Sequence, residues 1–111
     1  MYERLIKKIL KREKAKGRIN LVLMNDREIK KLNRKFRNKD KATDVLAFPM
    51  GEEGILGDIA ISMETAKRNA KRFGISYKYE LKRLVVHGVL HLLGYKHGKE
   101  MRDAEEVYQK L

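Results

Sequence analysis

The sequence predicts an α+β fold, with a small mixed sheet packed against helices and one central helix buried. Three observations favour this fold class. Apolar residues recur at helical spacing in five segments, three short β-rich runs lie between them, and residues 84–93 are apolar almost all round. At 111 residues the chain can form one core but not two, so we predict a single domain over residues 1–111.

The first part of the chain predicts a helix, a strand and a second helix. An amphipathic helix with a basic outer face runs from Tyr2 to near Gly17, and residues 19–24 form a short apolar strand. Asn25 and Glu28 then have the spacing of a capping box, which begins the second helix. The core stripe expected on this helix consists of Ile29, Leu32 and Phe36.

The middle of the chain predicts a hairpin followed by a helix. Residues 43–48 and 55–61 are β-rich runs, and the turn 51–54 between them suits antiparallel pairing. Ser62 is placed to cap the third helix, which should stop at Gly74. The residues expected to face inward on this helix are Met63, Ala66, Ala70 and Phe73.

The last part of the chain predicts two more helices. Ser76 can cap the fourth helix, which contains the apolar run 84–93 and ends at Gly94. A fifth, C-terminal helix follows from helical spacing. Its stripe consists of Met101, Ala104, Val107, Tyr108 and Leu111.

The three histidines of the chain lie close together, at His87, His91 and His97 in the sequence HGVLHLLGYKH. The first two are four positions apart, so on a helix they share one face. Gly94 offers a left-handed helix stop, after which the third imidazole can fold back toward the first two. Three converging imidazoles are typical of a catalytic metal site with an open position, and we predict one transition ion per chain, zinc by default.

Ordinary packing histidines are the alternative interpretation. Two unpartnered imidazoles on a helix that is apolar all round would carry polar nitrogens into a dry core, at ~1–3 kcal/mol each. A shared ion removes that penalty, which favours the metal interpretation. The run also matches the protease pattern H-E-x-x-H-x-x-G-x-x-H except at Gly88, where the protease has its general base. The motif therefore favours metal-assisted hydrolysis, while the missing base argues against peptide hydrolysis in particular.

Positive charge is concentrated at the start of the chain. Residues 1–41 carry 16 Lys and Arg against 5 Asp and Glu, whereas residues 42–111 carry 11 against 10. Such a one-sided distribution suits a polyanion, and together with the metal site it indicates nucleic acid. The phosphate contacts that we expect on the second helix are Lys30, Lys31, Arg34 and Lys35.

The composition also bears on location. No apolar stretch approaches the ~20 residues of a membrane span, and the N-terminal residues lack a signal-peptide core. The sequence contains no cysteine, so disulfides and thiolate metal sites are excluded. We expect a cytoplasmic protein with no membrane partner, monomeric by default.

Beyond the histidine run, two motifs carry a family resemblance. They are residues 32–49, LNRKFRNKDKATDVLAFP, and residues 56–59, LGDI. With the histidines they resemble the bacterial YbeY family over essentially the whole chain. The resemblance implies a metzincin-like fold with a mixed four-stranded sheet. It also implies a zinc-dependent hydrolase domain that cleaves single-stranded RNA in ribosomal RNA maturation and ribosome quality control.

The resemblance assigns roles to individual residues. The three histidines would be the metal ligands, and Arg37 would contact the RNA backbone near the metal. The chain departs from the family pattern at three positions, having Ala42 for Pro, Ala47 for Ser and Lys96 for Asp. The first two changes are conformationally tolerable, whereas Lys96 removes an acid beside the third histidine, so no role of that acid transfers here.

Two acids remain candidates for a supporting role. Asp44 and Asp58 are expected within strands, where Asp is disfavoured, so each could orient a ligand histidine or act as base, or simply cap a turn. Because position 88 is Gly, the sequence leaves open whether water or the ribose 2′-hydroxyl attacks the phosphate. Two rival functions also stay open: a metallopeptidase whose base is Glu52, Glu53 or Glu100, and a non-catalytic ribosome-assembly factor with a metal-stabilised core.

Overall fold

A computed structural model describes all residues, 1–111, and contains five helices and three strands in the predicted order. Their bounds are α1 Glu3–Arg12, β1 Arg18–Met24, α2 Asp26–Arg37, β2 Val45–Pro49, β3 Ile55–Ser62, α3 Met63–Phe73, α4 Tyr77–Leu92 and α5 Lys99–Gln109. The α+β class is confirmed. The first helix is shorter than predicted, because it ends at Arg12 rather than near Gly17.

The sheet is mixed and has the order β1-β3-β2. β1 pairs in parallel with β3, and β2 pairs antiparallel with β3, from Val45 opposite Ile61 to Pro49 opposite Gly57. The hairpin is confirmed, but the four-stranded sheet is wrong for these residues. Only three β-rich runs exist in the sequence, and the other apolar residues recur at helical spacing, so no segment is left to form a fourth strand.

Helices cover the two faces of the sheet unequally. On one face a cluster of 14 buried residues joins α1, α3, α4, α5 and β3, with α4 contributing more residues than any other element. On the other face α2 packs over a cluster of only three buried residues: Ile29, Leu46 and Ala60. The buried central helix is confirmed. It is also the longest helix, and neither it nor any other has the length and apolarity of a membrane span.

α4 packs closely against the sheet at Gly88. A Cβ atom at this position would lie 2.9 Å from Cγ2 of Ile59 and 3.0 Å from its Cδ1. Ile59 is fully buried, so it has little freedom to move away. Close packing therefore requires glycine at position 88, where the protease pattern has its general base.

Several residues predicted to face the core are exposed. Phe36 is 58% exposed and Phe73 57%, and Val107 and Leu111 are also exposed. All four lie in the last turn of a helix or just after it. Helical spacing identifies which side of a helix is apolar, but it does not tell whether the neighbouring layer extends to the end of that helix.

Polar contacts hold the beginning of α2 against α3. Asp26 accepts hydrogen bonds from the hydroxyl groups of Ser62 (2.5 Å) and Thr65 (2.6 Å) and from Arg68 (2.6 Å). Burial raises the pKa of the Asp26 carboxyl, but these hydrogen bonds outweigh it, and the net effect is a lowered pKa. The predicted capping box is confirmed at the same end, since Asn25 accepts from the Glu28 amide at 2.8 Å.

Candidate metal centre

The structure brings the three histidines together. One nitrogen from each imidazole lies within 4.8 Å of those of the other two, and the ring centroids are 4.7 to 5.5 Å apart. His87 and His91 are half-buried on α4, whereas His97 is exposed on the turn that follows. This is a compact donor set of the type that holds a transition ion.

The end of α4 explains how the third histidine returns. The Tyr95 amide donates to the Leu90 carbonyl and the Gly94 amide to the His91 carbonyl, both at 3.0 Å. These two bonds form a Schellman motif around Gly94, whose φ of +95° suits a residue without Cβ. The predicted helix stop is confirmed, and it reverses the chain so that His97 faces the α4 pair.

A long-range contact anchors this turn. The carboxylate of Glu13, just after α1, accepts a hydrogen bond from the Tyr95 hydroxyl at 2.8 Å and another from the Tyr108 hydroxyl. Burial, together with the bond to Glu13, raises the pKa of Tyr108 to about 12. Tyr95 therefore fixes the turn two residues before His97.

A carboxylate that the sequence analysis missed supports the first histidine. Nδ1 of His87 lies 3.1 Å from Oε1 of Glu105 on α5. Glu105 shares a helix face with the buried Met101 and Tyr108, four positions after one and three before the other. An acid within an apolar stripe was the available signal, because a buried carboxylate needs a partner.

The surroundings of the second histidine favour its neutral form. Burial lowers the pKa of His91 below its ordinary value of 6.5, and the neighbouring His87 and His97 lower it further. Arg37 adds to this effect, while Glu105 opposes it. A neutral imidazole is the form that binds a metal ion.

Arg37 belongs to the helix that packs on the other face of the sheet. It is the last residue of α2, and its positive charge contributes to lowering the pKa of His91. The end of α2 is fixed by Asn38, which has a left-handed φ of 55°, and by the buried Asn33, whose amide donates to the Lys41 carbonyl at 2.9 Å. The loop after α2 is thus held in a defined conformation.

The basic residues predicted on α2 form an exposed face. None of them makes an ion pair with an acidic side chain. They are Lys30, Lys31, Arg34 and Lys35. These side chains are thus free to meet phosphates, and Arg37 lies at the end of the same helix.

The structure does not bring Asp44 or Asp58 into contact with a histidine. Asp44 lies just before β2 rather than within a strand, and its carboxylate accepts from the Val45 amide and from Asn69. Asp58 lies within β3, as predicted, and accepts from the Asn20 side chain at 3.0 Å. Both carboxylates are engaged with these neighbours, and the acid that contacts a histidine is Glu105.

A fully buried acid lies two turns before His87 on α4. Glu80 is fully buried and accepts two hydrogen bonds from Arg83 and one from Asn69. The bonds to Glu80 raise the pKa of Arg83 despite its burial, with smaller contributions from Asp44 and Glu105. Arg83 precedes His87 by one turn of α4, so this network supports the helix at the centre.

The three acids considered as a substitute protease base are all exposed. Glu52 and Glu53 lie in the hairpin turn and Glu100 at the start of α5. None of the three forms a hydrogen bond with a histidine. The acid that does so is Glu105.

Comparison with known proteins gives a uniform result. The family model described as "Endoribonuclease YbeY" matches residues 1–110. A protein of that name from Aquifex aeolicus is 53% identical over 73% of this chain, and one from Nautilia profundicola is 52% identical over 84%. The aligned regions span 57% and 71% of those two proteins. The solution structure of TM1509 from Thermotoga maritima matches 97% of this chain and 76% of its own, with 36% identity and a TM-score of 0.75.

Proposed function

Because the chain belongs to the YbeY family of endoribonucleases, we propose that residues 1–111 form a hydrolase domain that cleaves single-stranded RNA with the help of a metal ion. The observation that carries the proposal is the convergence of three imidazoles. The basic face of α2 supports a polyanionic substrate.

His87, His91 and His97 are the proposed ligands of one ion, with zinc as the preferred metal. The donor set fits, since three imidazoles and no thiolate suit a catalytic zinc, copper or nickel site. When bound, the ion supplies Lewis-acid chemistry to the phosphodiester. With its proton on Nδ1, His87 would donate to Glu105 and would keep Nε2 available as the ligand atom.

Arg37 is the proposed catalytic side chain of the protein itself. Its guanidinium can donate two hydrogen bonds to a phosphate and offset the negative charge that develops during cleavage. The side chains of Lys30, Lys31, Arg34 and Lys35 contact phosphates further along the strand. Positioning by these contacts leaves the scissile phosphate between Arg37 and the histidines.

A peptidase is less well supported, because position 88 lacks both a base and the space for one. The finer proposal is that the substrate is ribosomal RNA, encountered on the ribosome and therefore in the cytoplasm. A net charge of +12 supports this, since ribosome surfaces are polyanionic.

The deciding experiment combines metal analysis with cleavage assays. Purified protein should contain about one transition ion per chain and cut single-stranded RNA but not casein. His87→Ala should lose both the ion and RNA cleavage. Casein cleavage without RNA cleavage would establish the peptidase, and metal binding with neither activity would establish the assembly factor. Absence of stoichiometric metal after refolding with zinc would refute the metal site.

A further inference from the structure

Phe36 is an aromatic side chain in an unexpected place. Helical spacing predicts it in the core, yet 58% of it is exposed at the end of α2. One side of the ring packs against Phe48 of β2, with centroids 5.2 Å apart and planes inclined by 58°. The Lys35 ammonium lies over the ring, 5.3 Å from its centroid.

Phe36 is next in sequence to the side chain proposed to act on the scissile phosphate. Arg37 is the following residue and the last of α2. Phe48, against which the ring packs, pairs with Asp58 of β3 and borders the small cluster under α2. A nucleotide held at Phe36 would therefore adjoin one held at Arg37.

The surroundings of Phe36 suit a nucleotide. The ring forms part of the wall of an open groove of about 1610 Å³, together with Leu32, Pro49 and Met50. Exposed cationic side chains of α2 adjoin it, so a phosphate and an apolar base can be met within one short stretch. Proteins that bind single strands combine these two elements, a basic track and an exposed aromatic ring.

We propose that the exposed ring of Phe36 is a stacking platform for one unpaired base of the RNA strand. This inference rests on the proposed ribonuclease function and deepens it. The base displaces the flexible Lys35 side chain, whose ammonium then contacts the adjoining phosphate. Because a paired base cannot leave its helix without unstacking, the platform selects single-stranded substrate.

The chain offers a matched control in Phe73. It is 57% exposed at the end of α3, and the Arg72 guanidinium lies 5.9 Å from its ring centroid. Phe73 lies just before the first residue of α4, Tyr77. His91 is 14 positions further along α4, which corresponds to about 21 Å of helix. Phe73 has the same local features as Phe36 but lies far from the histidines.

The test measures binding of a short unstructured RNA containing 2-aminopurine, by stopped-flow fluorescence before cleavage begins. Phe36→Leu should weaken affinity about 5-fold or more, the lower end of measured stacking effects. Phe36→Tyr should restore the affinity, and Phe73→Leu should leave it unchanged. Thermal melting and metal content show that each variant is folded and loaded.

Abasic scanning of the RNA identifies stacking as the cause. Removing the base at one position should weaken binding to the wild type by the same factor and abolish the difference between wild type and Phe36→Leu. A Phe36→Leu deficit that persists at every abasic position, or equal effects of Phe36→Leu and Phe73→Leu, would overturn the platform and leave the ribonuclease proposal standing. Failure of the wild type to bind any RNA would overturn both.

Discussion

The helices α2 and α4 pack on opposite faces of one sheet and differ in what holds them there. α4 lies within the 14-residue cluster and is buried along most of its length, and it carries His87 and His91. α2 has two buried residues, Ile29 and Asn33, an exposed basic face, and Arg37 at its end.

The difference separates two tasks within the proposed site. The side chains proposed to hold the metal lie on an element that close packing immobilises, where a change in volume is felt at once. Those proposed to hold RNA lie on the exposed face of an element attached by a small apolar cluster and by polar contacts, where single side chains can change without loss of the fold. The following predictions test this separation, beginning with the largest effect.

Replacing Gly88 tests how tightly α4 is packed. Gly88→Glu should lower the free energy of unfolding by about 3 kcal/mol or more, because its Cβ would collide with Ile59 and its charge would lack a partner. No peptidase activity should appear. Chemical denaturation measures the loss, and Gly51→Glu is the control, since nothing lies within 4 Å of a Cβ there. A stable Gly88→Glu protein would show that α4 can move off the sheet.

Replacing Arg37 tests whether α2 contributes to the chemistry. Arg37→Ala should reduce the single-turnover cleavage rate by about 10²-fold at saturating protein, with unchanged metal content and little loss of binding. Arg34→Ala is the control on the same helix. It should weaken RNA binding modestly and reduce the salt dependence of log K by roughly 0.7. Loss of affinity alone in Arg37→Ala would make it an ordinary phosphate contact.

Replacing Glu105 tests the support of α4 from α5. Glu105→Ala should weaken metal binding by about 10- to 100-fold, because His87 loses the acceptor that orients its ring. Competition with a chelator measures this without any RNA. Glu106→Ala removes the adjacent exposed acid and should leave the affinity unchanged. Equal affinities of the two variants would refute the role of Glu105.

Replacing Asp26 tests the polar attachment of α2. The pKa of the Asp26 carboxyl in the folded protein is below its ordinary value of 3.8. The ionised carboxylate therefore stabilises the fold fully above pH 3.8, and this stabilisation is lost as the pH falls through the lowered pKa. Asp26→Asn should reduce stability by about 1.5 kcal/mol at pH 7 and less in acid. Asp103→Asn, which removes an exposed pair with Lys99, should change little. A pH-independent effect of Asp26→Asn would contradict this account.

Local patterns predicted most of the fold. The capping residues, the Gly94 stop and the all-round apolarity of α4 each specify local structure without reference to distant residues, and all are confirmed. The exposure of Phe36 could not be predicted, because it depends on where the opposing layer ends. The histidine cluster was predicted from spacing within one segment. Glu105 contacts the cluster from another helix, and its only sequence signal is an acid within an apolar stripe.

The bonds from Glu13 to Tyr95 and Tyr108 have a consequence for the order of folding. Glu13 is 82 positions from Tyr95 and 95 positions from Tyr108, so these bonds close loops that contain most of the chain. Such contacts form only after the entropy of a long loop has been overcome, and in a growing chain only after the C-terminal residues have been synthesised. His97, which follows Tyr95, is therefore expected to reach its partners late. The proposed metal centre should therefore be completed only once Glu13 has met Tyr95 and Tyr108.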